Sequence, residues 1–124
     1  MCVDIFDNTI MPGGESLNFA ATISRLTDAK VCIIGAVGND SYGKTVLDSI
    51  KDFNIDKTHI RTENGDTASN RTYLTPDGDR YYKDDSWNGG VFSSFALSAS
   101  DRELLHSSDM VHTTFSGPNF NDVI

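Results

Sequence analysis

Lys30–Phe53, KVCIIGAVGNDSYGKTVLDSIKDF, decides the fold. Its opening, Lys30 to Val37, is a near-continuous apolar run rich in β-branched side chains, the pattern of a parallel strand covered on both faces. Beyond Gly38, the residues Val46, Leu47, Ile50 and Phe53 recur at helical spacing and predict a helix ending near Phe53. A strand that passes through a glycine turn into a helix is one unit of α/β layering. The turn itself has two readings. Gly38-Asn39-Asp40-Ser41-Tyr42-Gly43-Lys44-Thr45 has the spacing G-x-x-x-x-G-K-[ST] of a phosphate-binding P-loop. Such a loop aims bare amides and one ammonium at phosphates. Asp40 opposes that: a carboxylate about 4 Å from a phosphate oxygen repels it by roughly 4 kcal/mol at an effective dielectric near 20. In the competing reading Gly38 and Gly43 shape a turn, Asp40 or Ser41 caps the next helix through its side-chain oxygen, and Lys44 is solvated.

Upstream, Cys2 to Phe6 is the tail of a strand, Met11-Pro12-Gly13-Gly14 is predicted to be a turn, and Glu15 to Leu26 is a helix with Leu17, Ala20, Ala21 and Ser24 three and four residues apart. The right-handed crossover rule places the first strand and the Lys30–Val37 strand as parallel neighbours or near-neighbours in one sheet. Downstream the texture changes. Thr67 to Thr75 alternates, Pro76-Asp77-Gly78 is a turn and Asp79 to Lys83 pairs back, a β-hairpin whose exposed aromatics need cover from a ligand or a second subunit. Ser98 or Ser100 is expected to cap a short helix with Glu103 near its first turn, and Asp109 to Thr114 to form a buried strand carrying His112 as a hydrogen-bonded structural histidine. His59 and His106 are assigned to the surface.

The 124 residues carry a net charge of −8. Nucleic acid is excluded as a partner, because phosphate backbones need clustered Lys and Arg. No run approaches the roughly 18 apolar residues that cross a bilayer, and no basic-then-apolar leader opens the chain, so the expected address is the cytoplasm without membrane contact. Cys2 and Cys32 lack metal-ligand or CxxC spacing and read as small buried hydrophobes. The short first strand and the stop at Ile124, where an α/β pattern would continue, lead to the expectation of a fragment.

The order of these features carries more than any one of them: Asp4 in the first strand, Gly13-Gly14 followed by Asn18 on the helix, Gly35-Ala-Val-Gly38-Asn-Asp40-Ser-Tyr-Gly43, then the hairpin. The set resembles the N-terminal part of the ribokinase-like (PfkB-type) carbohydrate kinases over nearly the whole chain. With Asp79-Arg80, Phe95-Ala-Leu-Ser98 and Asp109-Met-Val-His112, the most similar branch is the fructoselysine and fructosamine kinases. The resemblance implies a three-layer α/β sheet with helices on both faces, residues 1–66 and 84–124 forming an incomplete core and residues 67–83 a β-hairpin lid. It implies transfer of the γ-phosphoryl group of ATP, with Mg2+, to a sugar hydroxyl, and a homodimer through the lid.

In the family pattern Asp4, Gly13, Gly14 and Asn18 correspond to the sugar-holding positions, while Gly35, Gly38, Asp40 and Gly43 belong to a structural turn. The chemistry agrees, since a carboxylate accepts two hydroxyl hydrogen bonds, an amide offers donor and acceptor, and glycine lets backbone approach a ring. Strand alternation puts Asn70 and Thr72 on one face of the hairpin, Arg71 and Tyr73 on the other, and the first pair is taken as sugar-facing. Glu15 stands where ribokinases often carry Lys. The family's Gly-Ala-Gly-Asp segment, which supplies base and anion hole, has no counterpart here: Gly65-Asp66 and Gly78-Asp79 lack the preceding glycine, so no catalytic residue is assigned and the nucleotide site is expected outside the chain. Two alternatives stay open, a P-loop nucleotide-binding domain using Gly38–Thr45 and a noncatalytic dimerising module.

Overall fold

The structure is a computed structural model and describes residues 1–114. Strand β1 (Cys2–Phe6) turns at Asp7, which takes a positive φ of 50°, into β2 (Thr9–Gly13), and helix α1 (Glu15–Leu26) follows directly. The Met11–Gly13 segment expected as a turn is therefore strand: it pairs antiparallel with β1, and Asp7-Asn8 makes the reversal instead. Asp, like Asn, tolerates the left-handed region that such a reversal needs.

The apolar run after α1 forms two short strands, β3 (Val31–Cys32) and β4 (Gly35–Gly38). Beyond helix α2 (Ser41–Ser49), they pair in parallel with β5 (Ile55–Asp56) and β6 (Ile60–Glu63) respectively. The break has a cause in register. Val31 stands opposite Ile55 but Gly35 opposite Ile60, so the Lys57–His59 stretch holds one residue more than its partner and interrupts the ladder as a bulge does. α2 ends earlier than its apolar spacing suggests; residues 50–53 continue as turns, yet Ile50 stays buried and Phe53 packs on the core.

Strand β7 (Ser69–Leu74) runs parallel to β1, and its other edge takes two antiparallel pieces, β8 (Arg80–Tyr81) and β9 (Trp87–Asn88). The expected hairpin is present, with Gly78 at φ 91° in its turn and Thr75 and Asp79 bonded across it. The second return strand, β9, had no sequence signal, being two residues long. The expectation that β1 shares a sheet with the Lys30–Val37 strand does not hold among the described residues. β1 lies between β2 and β7, in the order β2-β1-β7-β8, and β3 and β4 pair only with β5 and β6. The crossover rule presupposes a common sheet, and β2 occupies the edge of β1 that such a neighbour would need.

A 3-10 helix (Gly90–Ser94) and helix α3 (Ala99–Ser107) complete the described elements. Val3, Ile5, Leu17, Ile33, Val37, Val46, Ile50 and Ile55 form the main core, where one face of the β1 sheet meets α1, α2 and the parallel strands. Ala36, Val91 and Phe95 form a smaller one.

Two expectations about this last part need correction. Ser98 caps α3, but the reciprocal partner is Asp101, not Glu103: Asp101 N–H donates to Ser98 Oγ and Ser98 N–H to Asp101 Oδ2. Ser98-x-x-Asp101 is the capping-box spacing. Asp101 is buried, with His59 Nδ1 2.6 Å from Oδ1 and Arg61 Nη2 3.4 Å from Oδ2. His59 is thus not a surface residue, because Asp101 pulls it inward. Burial alone would raise the Asp101 carboxyl, but the His59 and Ser98 hydrogen bonds and the Arg61 charge outweigh it and hold the group below its ordinary value. Second, Asp109–Thr114 is neither strand nor buried. An extended segment becomes a strand only with a ladder partner, and none of the described strands pairs with it. His112 instead stacks on Phe19, ring centroids 4.0 Å apart, with Nε2 3.6 Å from Glu15.

Candidate functional site

Strand alternation sends Val3 and Ile5 into the core and leaves Asp4 on the opposite face of the sheet. There Asp4 stands opposite Met11 in β2 and opposite Asn70 in β7, and residues directly opposed across a ladder share a face. Gly13 is the reason the carboxylate fits. A Cβ at position 13 would lie 2.3 Å from Asp4 Oδ2, so any other residue would push the carboxylate aside. Gly14 serves the backbone: its φ of 104° and a would-be Cβ 3.3 Å from Met1 Cα let the chain reverse from β2 into α1.

Asp4, Gly13 and Asn70 are therefore brought together, with Gly14 beside them. Thr72 shares their face but is only 4 % exposed, opposite Phe6 in the register, so it packs rather than presenting its hydroxyl. Asn18 is exposed, and its backbone amide closes the first turn of α1 on Gly14. It borders a shallow cavity of about 160 Å³ with Pro12, Ser49 and Phe53, whose lining does not include Asp4. A larger open cleft of about 300 Å³ at Ser24, Arg25 and Asp52–Asn54 also lacks both Asp4 and Asn70, and its Arg25 guanidinium lies over the Phe53 ring; the strand-borne cluster is the better candidate on chemistry.

The Gly38–Thr45 turn is filled by its own residues. Asp40 caps α2, Oδ1 accepting from Gly43 N at 2.8 Å and from Thr67 Oγ1 at 2.6 Å, while Oδ2 accepts from Thr67 N at 3.0 Å. Gly38 N donates to Thr67 Oγ1 at 2.8 Å. Burial works against the Asp40 charge, but the Thr67 and Gly43 donors win and keep the carboxyl below its ordinary 3.8. Lys44 pairs with Asp48 on the exposed face of α2, and Thr45 Oγ1 donates to Ser41 O. The amides of Gly38, Gly43 and Lys44 are bonded within the protein and a carboxylate occupies the hollow, so these residues do not fit a nucleotide. Lys44→Ala is accordingly expected to leave a urea melt unchanged within error and to alter no ATP titration followed by calorimetry; a lysine-dependent ATP signal would contradict this assignment.

Thr67 is the one structural residue of this knot that the sequence hid. It is fully buried, yet it reads as the first position of an alternating strand, and only the long-range partner Asp40 gives it meaning. The Asp101–His59–Arg61 cluster was legible in part, through the capping-box spacing.

An α/β layer bearing a strand carboxylate under a Gly-Gly turn, with a polar hairpin beside it, defines a ribokinase-like module. Residues 4–119 match the pfkB family carbohydrate kinase, and the chain belongs to that family. It is 34 % identical over 118 residues to the fructoselysine 6-kinase of Escherichia coli (strain K12), covering 94 % of this chain and 44 % of that protein. Against the fructosamine kinase FrlD of Bacillus subtilis (strain 168) it is 28 % identical over 117 residues, 93 % of this chain and 40 % of the relative. The chain thus spans less than half the length of these relatives. In fold, it superposes on a ribokinase of Arabidopsis thaliana, solved with ribose and ATP, with a TM-score of 0.72 at 20 % identity, covering 84 % of this chain and 39 % of that one. No helix among the described residues is long and apolar enough to cross a membrane.

Proposed function

We propose that this chain is the acceptor-binding part of an ATP-dependent carbohydrate kinase, acting on a sugar of the fructoselysine type in the cytoplasm. The observation that carries the reading is the Asp4 carboxylate seated against Gly13 and opposite Asn70 on the open face of the β1–β7 sheet. Asp4 would accept two sugar hydroxyls and Asn70 would bridge a third, fixing the ring so that one remaining hydroxyl faces the phosphoryl donor. Residues 67–83 would act as the lid that excludes water, with Asn18 and Gly14 closing the site from the α1 side. ATP with Mg2+, the catalytic base and the anion hole would be held by polypeptide outside the described residues. The exposed Leu74, Tyr81 and Tyr82 of the lid support a second copy of the chain as partner.

The test is calorimetric. Asp4→Ala is expected to weaken sugar binding about 100-fold, since it removes charge-assisted hydrogen bonds of about 1.5–3 kcal/mol each. The 124 residues with ATP and sugar are expected to give no turnover in a coupled assay. Unchanged sugar affinity in the variant, or phosphorylation by the chain alone, would overturn the proposal.

A further inference from the structure

We infer that Trp87 forms an aromatic subsite beside Asp4 and Asn70, a platform for the cationic, aliphatic extension of a sugar–amine conjugate. The inference rests on the acceptor-site reading above and goes beyond it, because neither the carboxylate nor the amide explains this indole.

Register supplies the first argument. Asp4 is paired with Asn70, and Asn70 with Trp87, so the three side chains form one row across β1, β7 and β9 on a single face. Neighbouring strands lie about 4.8 Å apart, which puts about 10 Å between the backbone of Asp4 and that of Trp87. That row is longer than one sugar ring bridges, and it suits a ring held at the Asp4 end with a chain running towards the indole.

The platform is held in place. Backbone bonds flank Trp87 on both sides: Arg71 N to Ser86 O at 2.8 Å and Val91 N to Asp66 O at 2.9 Å, with Gly90 N on Asn88 Oδ1 at 3.0 Å. Gly89 adjoins the ring edge, since a Cβ there would come within 3.5 Å of Trp87 Nε1. Yet the residue is 54 % exposed, a large apolar surface left in water at a fixed place.

Charge supplies the last argument. The protein seats its own cations on four other rings: Arg25 on Phe53, Arg61 on Phe95, Arg80 on Phe6 and Lys83 on Tyr73. Among the described residues none sits on Trp87. An indole face is the best aromatic partner for an ammonium and also packs methylenes. The net charge of −8, with Asp84 and Asp85 just before β9, favours a positive ligand there.

Trp87 is the sole tryptophan of the chain, so its emission reports this subsite alone. Titration with Nε-fructosyl-lysine is expected to shift that emission saturably. By calorimetry, Trp87→Ala should weaken the conjugate about tenfold while changing fructose affinity less than twofold, and Trp87→Phe should recover most of the loss. Circular dichroism would verify that the variants fold. If Trp87→Ala leaves the conjugate unaffected, or weakens fructose equally, while Asp4→Ala still abolishes binding, the aromatic subsite is wrong and the acceptor site stands. If neither ligand binds, or binding ignores Asp4→Ala, both fall.

Discussion

Asp40→Ala is expected to destabilise the fold by about 3–5 kcal/mol in urea denaturation, far more than an ordinary helix cap, which is worth about 1 kcal/mol. The excess comes from the partners left behind. Asp40 receives three hydrogen bonds, and two of them come from Thr67, which is fully buried. Hydrogen bonds to a charged group contribute about 1.5–3 kcal/mol each, and a buried donor stripped of its acceptor adds its own desolvation cost. The variant loses the cap of α2 and the tie between α2 and the root of β7 in one step. The same group makes the fold acid-sensitive. Its folded carboxyl lies below the ordinary 3.8, so the unfolded chain takes up the proton first. Its contribution is complete above that value and disappears as pH falls through the lowered one. A pH series of urea melts should show the wild type losing stability below about pH 4 by more than Asp40→Ala does; parallel curves would mean the carboxylate is not held as described.

How far this was readable from the sequence depends on the range of the interaction. α1, the Asp40 cap and the 67–83 hairpin are set by residues within a few positions of one another, and periodicity or turn chemistry exposes them. The common face of Asp4 and Asn70 needed the parallel pairing of strands more than sixty residues apart, and only the family's ordered motifs hinted at it. Asp109–Thr114 shows the opposite error. Its apolar and β-branched residues suit a strand, but composition says only that the segment could be one, and a ladder partner decides whether there is a strand at all. Asn18 and Thr72 teach a similar lesson. Residue type nominated both as ligands, whereas burial separates them: Thr72 is packed and Asn18 is exposed near the start of α1.

Gly38→Ala is expected to be at least as damaging as Asp40→Ala, to the point of preventing a cooperative melt. A Cβ at 38 would lie 2.1 Å from Gly65 O, 2.5 Å from Thr67 N and 2.6 Å from Asp66 C. All three are backbone atoms, so no rotamer change relieves the clash; the segment leading into β7 would have to move, breaking the Gly38–Thr67 and Thr67–Asp40 bonds together. Overpacking that shifts backbone costs about 1–3 kcal/mol before any hydrogen bond is lost. Gly43→Ala sharpens the test because propensity and packing give opposite signs. Inside a helix, alanine is favoured over glycine by about 1 kcal/mol, so a solvated first turn of α2 would be strengthened. Here the new methyl would stand 2.1 Å from Gly38 O, and the melt should move down instead of up. Gly78→Ala is the control: nothing lies within 4 Å of its Cβ, and only the φ of 91° opposes it, a backbone cost of about 1–3 kcal/mol. Chemical denaturation of the three variants should rank them 38 above 43 above 78 in loss of stability. A stabilised Gly43→Ala would show that the Gly38–Gly43 turn is open, and would return its amides to the market for an anion.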